Sequence, residues 1–155
     1  LLNYHIDLLV TPDEVKQAGL YYAPLFDYEL VLLVADNHHL AGRKNITADD
    51  LAAELLLTFP VAHERLDVYT RFLMPAGVKP RHKAMESLEI MIQMVGLQRG
   101  VTVLPDWLAE SYCRHLPVTT ARLGEDGVMK TLFAAMRENE REIPYMQAFV
   151  SMGQQ

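Results

Sequence analysis

A chain of 155 residues, half of them hydrophobic and 22% charged, is long enough for one full domain or two small lobes, and its composition excludes a disordered polymer. The formal charge of −6, with the 14 Lys and Arg residues dispersed, argues against this stretch itself gripping nucleic acid, which needs concentrated positive charge. A single cysteine, Cys113, precludes an internal disulfide, and no apolar run approaches the ~20 residues of a membrane span.

A lone thiol is most simply housed in a reducing compartment, the cytoplasm. The first residues lack the basic segment and cleavage site of a signal peptide. LLNYHIDLLVTPD enters a strand almost at once, so the chain reads as a piece of something longer, cut near a helix–strand boundary.

In chain order, His5–Val10 (HIDLLV) is predicted as a buried strand ended by Thr11-Pro12-Asp13. Tyr28–Ala35 (YELVLLVA) is a near-continuous apolar run of the kind found in sheets covered on both faces. Thr47-Ala48-Asp49-Asp50 resembles a capping box opening a helix from Ala48 to about Glu54. Leu55–Phe59 is a short strand broken by Pro60. A helix from about Glu64 to Leu73 follows, with Leu66, Tyr69, Phe72 and Leu73 on one face.

Pro75, Gly77 and Pro80 terminate that helix. A strand near Lys83–Met85 leads into a helix over Leu88–Gln98, a strand over Val101–Leu104 and a helix with Pro105 at its first turn. Val118–Leu123 and Lys130–Arg137 are strands, and Ile143–Met152 is a closing helix. Strands alternating with helices indicate an α/β fold with largely parallel sheets. Two long runs, Tyr28–Ala35 and Met129–Arg137, suit crossings between two lobes, with the middle of the chain as an inserted second lobe.

Enzyme chemistry lacks its parts. Adjacent His38 and His39 point apart on a strand and sit about 100° apart on a helix. HERLD lacks the second histidine of a zinc-protease helix, and no C-x-x-C exists. No metal is therefore expected, and the histidines read as solvated loop residues. Ser87, Ser111 and Ser151 have no evident base, and GLQRG lacks the Lys-Ser/Thr of a phosphate loop. No catalytic residue and no cofactor is expected.

Two helix N-termini carry more information, one after Glu86-Ser87 and one after Pro60-Val61-Ala62-His63. Each is expected to follow a strand directly and to present unpaired N–H groups with a partial positive charge. Ligands of open α/β sheets gather at such strand ends. Ser87, Thr58 and Thr11 add neutral hydrogen-bonding groups, and Arg65 suits a carboxylate. The plain alternatives are Ser87 as an N-cap alone and Thr11 as a turn residue alone. Leu88, Ile90, Met91, Ile92, Met94, Val95 and Leu97 wrap most of their helix, which is expected to be buried on several sides.

Taken in order, HIDLLVTPD, APLFDYELVLLVADNHHLAGRKNITADDLAAELLLTFPV and ESLEIMIQMVGLQRGVTVLP resemble the effector domain of LysR-type transcriptional regulators. The resemblance covers essentially the whole chain. GLYYAPLFDYE, LDVYTRFLMPAG and LEIMIQMV are similar to members that govern methionine biosynthesis. It implies a type 2 periplasmic-binding-protein-like α/β fold, two lobes joined by two crossover strands, with the effector in the cleft between them. On that pattern residues 1–34 form a partial first lobe, 35–121 the second lobe, and 122–155 the return crossover strand and the first-lobe C-terminal helix. The family's first β-α-β unit precedes Leu1, as do the helix-turn-helix and linker helix through which alone DNA is bound. Homodimers or homotetramers of the full-length protein, and no membrane, are implied as partners.

The same resemblance implies homocysteine as effector, with Thr11, Phe59, Pro60, Val61, Arg65, Glu86 and Ser87 as its contacts. Its carboxylate is assigned to Ser87 or Thr11 and helix N–H groups, its ammonium to Glu86 and its thiol to Phe59 and Val61. Tyr4 stands where the family usually has glycine, and His39 where it usually has proline. A solute-binding protein of a transport system with the same fold is the alternative reading, and an enzyme on that fold the third.

Overall fold

The computed structural model describes residues 1–155. Its strands are β1 (Leu8–Thr11), β2 (Leu20–Ala35), β3 (Asn45–Ile46), β4 (Leu55–Thr58), β5 (Arg81–Ala84), β6 (Val101–Pro105), β7 (Val118–Leu123) and β8 (Val128–Arg137). Three α-helices accompany them: α1 (Leu88–Gly96), α2 (Asp106–Cys113) and α3 (Pro144–Gly153). None is long and apolar enough to cross a membrane. The chain divides into two compact units, one of residues 1–28 with 129–155 and the other of residues 29–128. It passes from one to the other within β2 and returns at the start of β8, the two crossovers of this α/β architecture.

In the larger unit the strand order is β5-β4-β6-β2-β7-β3. β4 runs parallel to β5 and β6, and β3 parallel to β7, while β2 is antiparallel to both β6 and β7. Five strands thus share one direction and β2 alone opposes them. Period-two alternation sends the two faces of this sheet into separate cores. Leu32, Val34, Leu56 and Val101 pack on one face with Leu51, Tyr69 and Leu73. Val31, Leu33, Leu57 and Leu104 pack on the other with Met91, Ile92 and Val95 of α1 and Ala109 of α2. Both faces being covered is why Leu32–Ala35 is apolar without a break.

Gly100 opens β6 against β4. A β-carbon there would lie 2.8 Å from Leu57 Cγ and 2.9 Å from the Leu55 carbonyl oxygen, so only glycine fits. Thr102, 2% exposed between the strands, is satisfied there: its Oγ1 donates to the Leu57 carbonyl over 2.8 Å.

In the smaller unit the order is β1-β8-β2, with β1 and β8 antiparallel from Leu8↔Met136 to Thr11↔Phe133. Met146 and Val150 of α3 close its core over Ala23, Leu25, Ala134 and Met136. Arg137, almost wholly buried, binds the Leu1 and Ile6 carbonyls and the Asp7 and Glu140 carboxylates, with the Tyr4 ring over its guanidinium.

Several expectations need correction. The first strand begins at Leu8 rather than His5, because residues 1–7 wrap Arg137 instead of pairing. β2 begins at Leu20, eight residues before the expected Tyr28; Pro24 is tolerated because this half of β2 lies at the edge of its unit's sheet. The helix expected over Ala48–Glu54 is a three-residue 3-10 turn, Asp49–Leu51. The helix expected over Glu64–Leu73 is a 3-10 turn at His63–Arg65, an extended Leu66 and a π-helical turn at Val68–Leu73. α1 buries Met91, Ile92 and Val95, while Ile90 on its outer face is 57% exposed and Leu97, just past its end, 70% exposed.

Candidate functional site

The parallel strands β4 and β5 end side by side. Thr58 faces Ala84 in register, and the Met85 N–H donates to the Thr58 carbonyl over 2.8 Å. From β4 the chain leaves through Phe59-Pro60-Val61, a tight turn in which the Val61 N–H donates to the Phe59 carbonyl over 2.8 Å. Proline cannot extend the ladder, so the strand stops, and all three residues are exposed although apolar. From β5 the chain leaves through Met85 and the exposed Glu86 to Ser87, the N-cap of α1.

Ser87 holds an extended backbone (φ −101°, ψ 119°). Its Oγ accepts the Ile90 N–H over 3.3 Å and donates to Glu89 Oε2 over 3.4 Å. A hydroxyl has one proton, so Ser87 Oγ bonds a ligand carboxylate by turning that proton from Glu89 to the ligand. The N–H groups of Leu88 and Glu89, in the first turn, have no carbonyl within the helix, and the helix dipole adds partial positive charge there. The arrangement can take the carboxylate of a small ligand, with Glu86 beside it for a cation and Phe59 and Val61 one strand away for an apolar tail.

Six of the seven expected contacts therefore fall in the larger unit, and Phe59, Pro60, Val61, Glu86 and Ser87 gather at adjoining strand exits. Arg65 stands in the His63–Arg65 turn, exposed and in no ion pair. The helix N-terminus expected there does not exist: a three-residue turn has no aligned dipole to offer. Thr11 closes β1 in the smaller unit, where its Oγ1 accepts the Asp13 N–H over 3.1 Å.

One feature escaped the sequence. A cavity of about 460 Å³ is lined by His63, Glu64, Tyr69, Met74, Val78 and His82, among others. His63 stacks flat on Tyr69 with ring centroids 4.0 Å apart, and His82 meets His63 edge-on at 4.5 Å. The Tyr69 hydroxyl is buried without a partner, and burial pushes its pKa up. His82 reaches this group only because β5 pairs with β4 in the register Leu56↔His82, which no local pattern announces.

A sheet covered on both faces, entered and left by two crossover strands, with a capped helix opening at a strand exit, is the arrangement of the ligand-binding class of open α/β domains. The profile of the family described as LysR substrate binding domain matches residues 1–155, and the chain belongs to that family. It is 44% identical over 145 residues to the HTH-type transcriptional regulator MetR of Escherichia coli (strain K12), covering 94% of this chain and 45% of that protein. To MetR of Salmonella typhimurium it is 41% identical over the same shares. The solved regulatory domain of MetR, a LysR family regulator from N. meningitidis, superposes with a TM-score of 0.88 at 32% identity, covering 99% of this chain and 71% of that one. The chain thus spans about half the length of the curated relatives it matches.

Proposed function

We propose that the chain is the effector-sensing part of a cytoplasmic LysR-type regulator of methionine metabolism, that it binds homocysteine, and that it carries out no chemistry of its own. In the full-length protein the bound amino acid biases the placement of an attached helix-turn-helix on DNA, which requires tighter binding to one arrangement than to another. The observation that carries this reading is the 44% identity to a regulator named MetR along nearly the whole chain. It favours the regulator over a transport-system binding protein.

Ser87 and the first N–H groups of α1 take the carboxylate, Glu86 the ammonium, and Phe59 and Val61 the thiol end, with Pro60 holding the turn. Arg65 and Thr11 are the remaining assigned contacts. Calorimetry of homocysteine on the 155-residue chain is expected to show saturable binding. Ser87→Ala removes a hydrogen bond to a charged group and weakens binding by about ten- to a hundredfold. Ser87→Asp keeps the helix cap but sets like charges together, so binding is lost while the fold stands. Unchanged affinity in Ser87→Ala, Thr11→Val and Arg65→Ala together would remove these assignments. A gel shift of the full-length protein that ignores homocysteine would remove the effector.

A further inference from the structure

The turn after β2 and the segment before β4 bring three metal-ligating side chains together. His38 Nε2 lies 3.3 Å from Glu54 Oε2, and His39 Nε2 lies 3.1 Å from Glu54 Oε1. The two imidazoles are stacked, with centroids 4.4 Å apart and planes 30° apart. One ligand atom from each of the three residues falls within 4.8 Å of the other two. Adjacency, which on a regular strand or helix parts two such rings, does not part them in this turn.

The geometry points to a binding site for a divalent transition-metal ion of the zinc class on His38, His39 and Glu54. Zinc holds nitrogen and carboxylate oxygen at about 2.0–2.2 Å, so neighbouring corners of its tetrahedron stand about 3.3 Å apart, the spacing already found on both sides of Glu54. Two neutral imidazoles and a carboxylate are borderline ligands that favour copper, zinc and nickel over magnesium or calcium. The side chains of His38 and Glu54 are only 10% and 14% exposed, so they are held in place, while His39 at 68% leaves an open side for solvent as the fourth ligand.

Protons compete for this site. The Leu40 N–H donates to His38 Nδ1 over 3.2 Å, so without metal the ring proton sits on Nε2, facing Glu54. Metal at Nε2 moves that proton to Nδ1 and breaks the Leu40 bond, which sets the affinity below that of a built zinc-finger site. β2 runs opposite to β4 and β5, so its exit lies at the other end of the sheet from Phe59 and Ser87. The site is independent of the effector reading. His63 and His82 also meet but gather no third ligand, which makes them an internal control.

The test is a titration of the metal-free 155-residue chain, without homocysteine, using zinc chloride by calorimetry and cobalt(II) by visible absorption. One equivalent is expected to bind, with the intense absorption of four-coordinate cobalt. His39→Ala and Glu54→Gln should each weaken it at least about tenfold, and His82→Ala should leave it unchanged. His39 is exposed and its alanine variant keeps the fold, checked by circular dichroism. No bound metal in the parent chain, or His39→Ala binding as the parent does, would overturn the site.

Discussion

Asp50 gathers more bonds than its position on a surface turn suggests. Its Oδ2 accepts the Thr47 N–H over 2.7 Å and the Thr47 hydroxyl over 3.0 Å, and its Oδ1 pairs with Arg43 at 2.8 Å. The amide bond first, and Arg43 second, hold its carboxyl below the usual carboxylate range. A carboxylate with a lowered folded pKa adds stability that is fully present above its unfolded value of about 3.9 and is lost as pH falls through the lower folded value. Asp50→Asn is therefore expected to destabilise at pH 7 and to flatten the acid limb of stability. Urea denaturation between pH 7 and pH 2 checks both effects, and an unchanged acid limb would mean that the bonds to Thr47 do not persist in solution. This much was legible: the Thr47–Asp50 spacing marks a capping box, and its reciprocal bond is present even though the helix it opens stops after one turn. Ser87 was legible in the same way, as a small hydroxyl before an apolar run. The Tyr69 cluster was not, because it is assembled from residues up to 19 apart by a strand register.

Elements differ in how plainly their sequences speak. β4, β6 and β7 were readable to within a residue, since β-branched and leucine runs bounded by Gly or Pro have few other solutions. The stretch over Glu64–Leu73 was not. Its apolar spacing at Leu66, Tyr69, Phe72 and Leu73 suits a π turn as well as an α-helix, so the buried face was right and the backbone hydrogen bonding wrong. On α1 the composition hid an asymmetry. Ile92 is fully buried between the sheet and its neighbours, whereas Ile90, two residues away, points outward. Ile92→Ala is expected to cost about 2–5 kcal/mol, and Ile90→Lys to stay within about 0.5 kcal/mol. Chemical denaturation of the two variants decides; equal losses would show that Ile90 is covered in solution.

At the scale of the molecule, the two units are unequal in how the chain supplies them. Residues 29–128 are one continuous stretch with two filled cores, whereas the other unit joins both ends of the chain. A fragment of residues 29–128 is expected to fold alone, with a cooperative melt by circular dichroism and dispersed amide resonances. A non-cooperative melt would mean that the crossover strands cannot stand without their other halves. The alternation of strands and helices announced the α/β class, and the two long apolar runs announced the crossings. Tyr4 holds φ 61°, in the left-handed region that favours glycine, a backbone demand that composition does not carry.

The division also orders events on the ribosome. Residues 1–28 emerge before residues 29–128, and β1 finds no strand to pair with until β8 follows, more than a hundred residues later. The larger unit emerges complete ahead of β8 and can close first, since domains fold as units during synthesis. The earlier segment, with Leu2, Ile6, Leu9 and Val10 still exposed in the finished molecule, waits unpaired, and the buried guanidinium of Arg137 then clasps it through the Leu1 and Ile6 carbonyls.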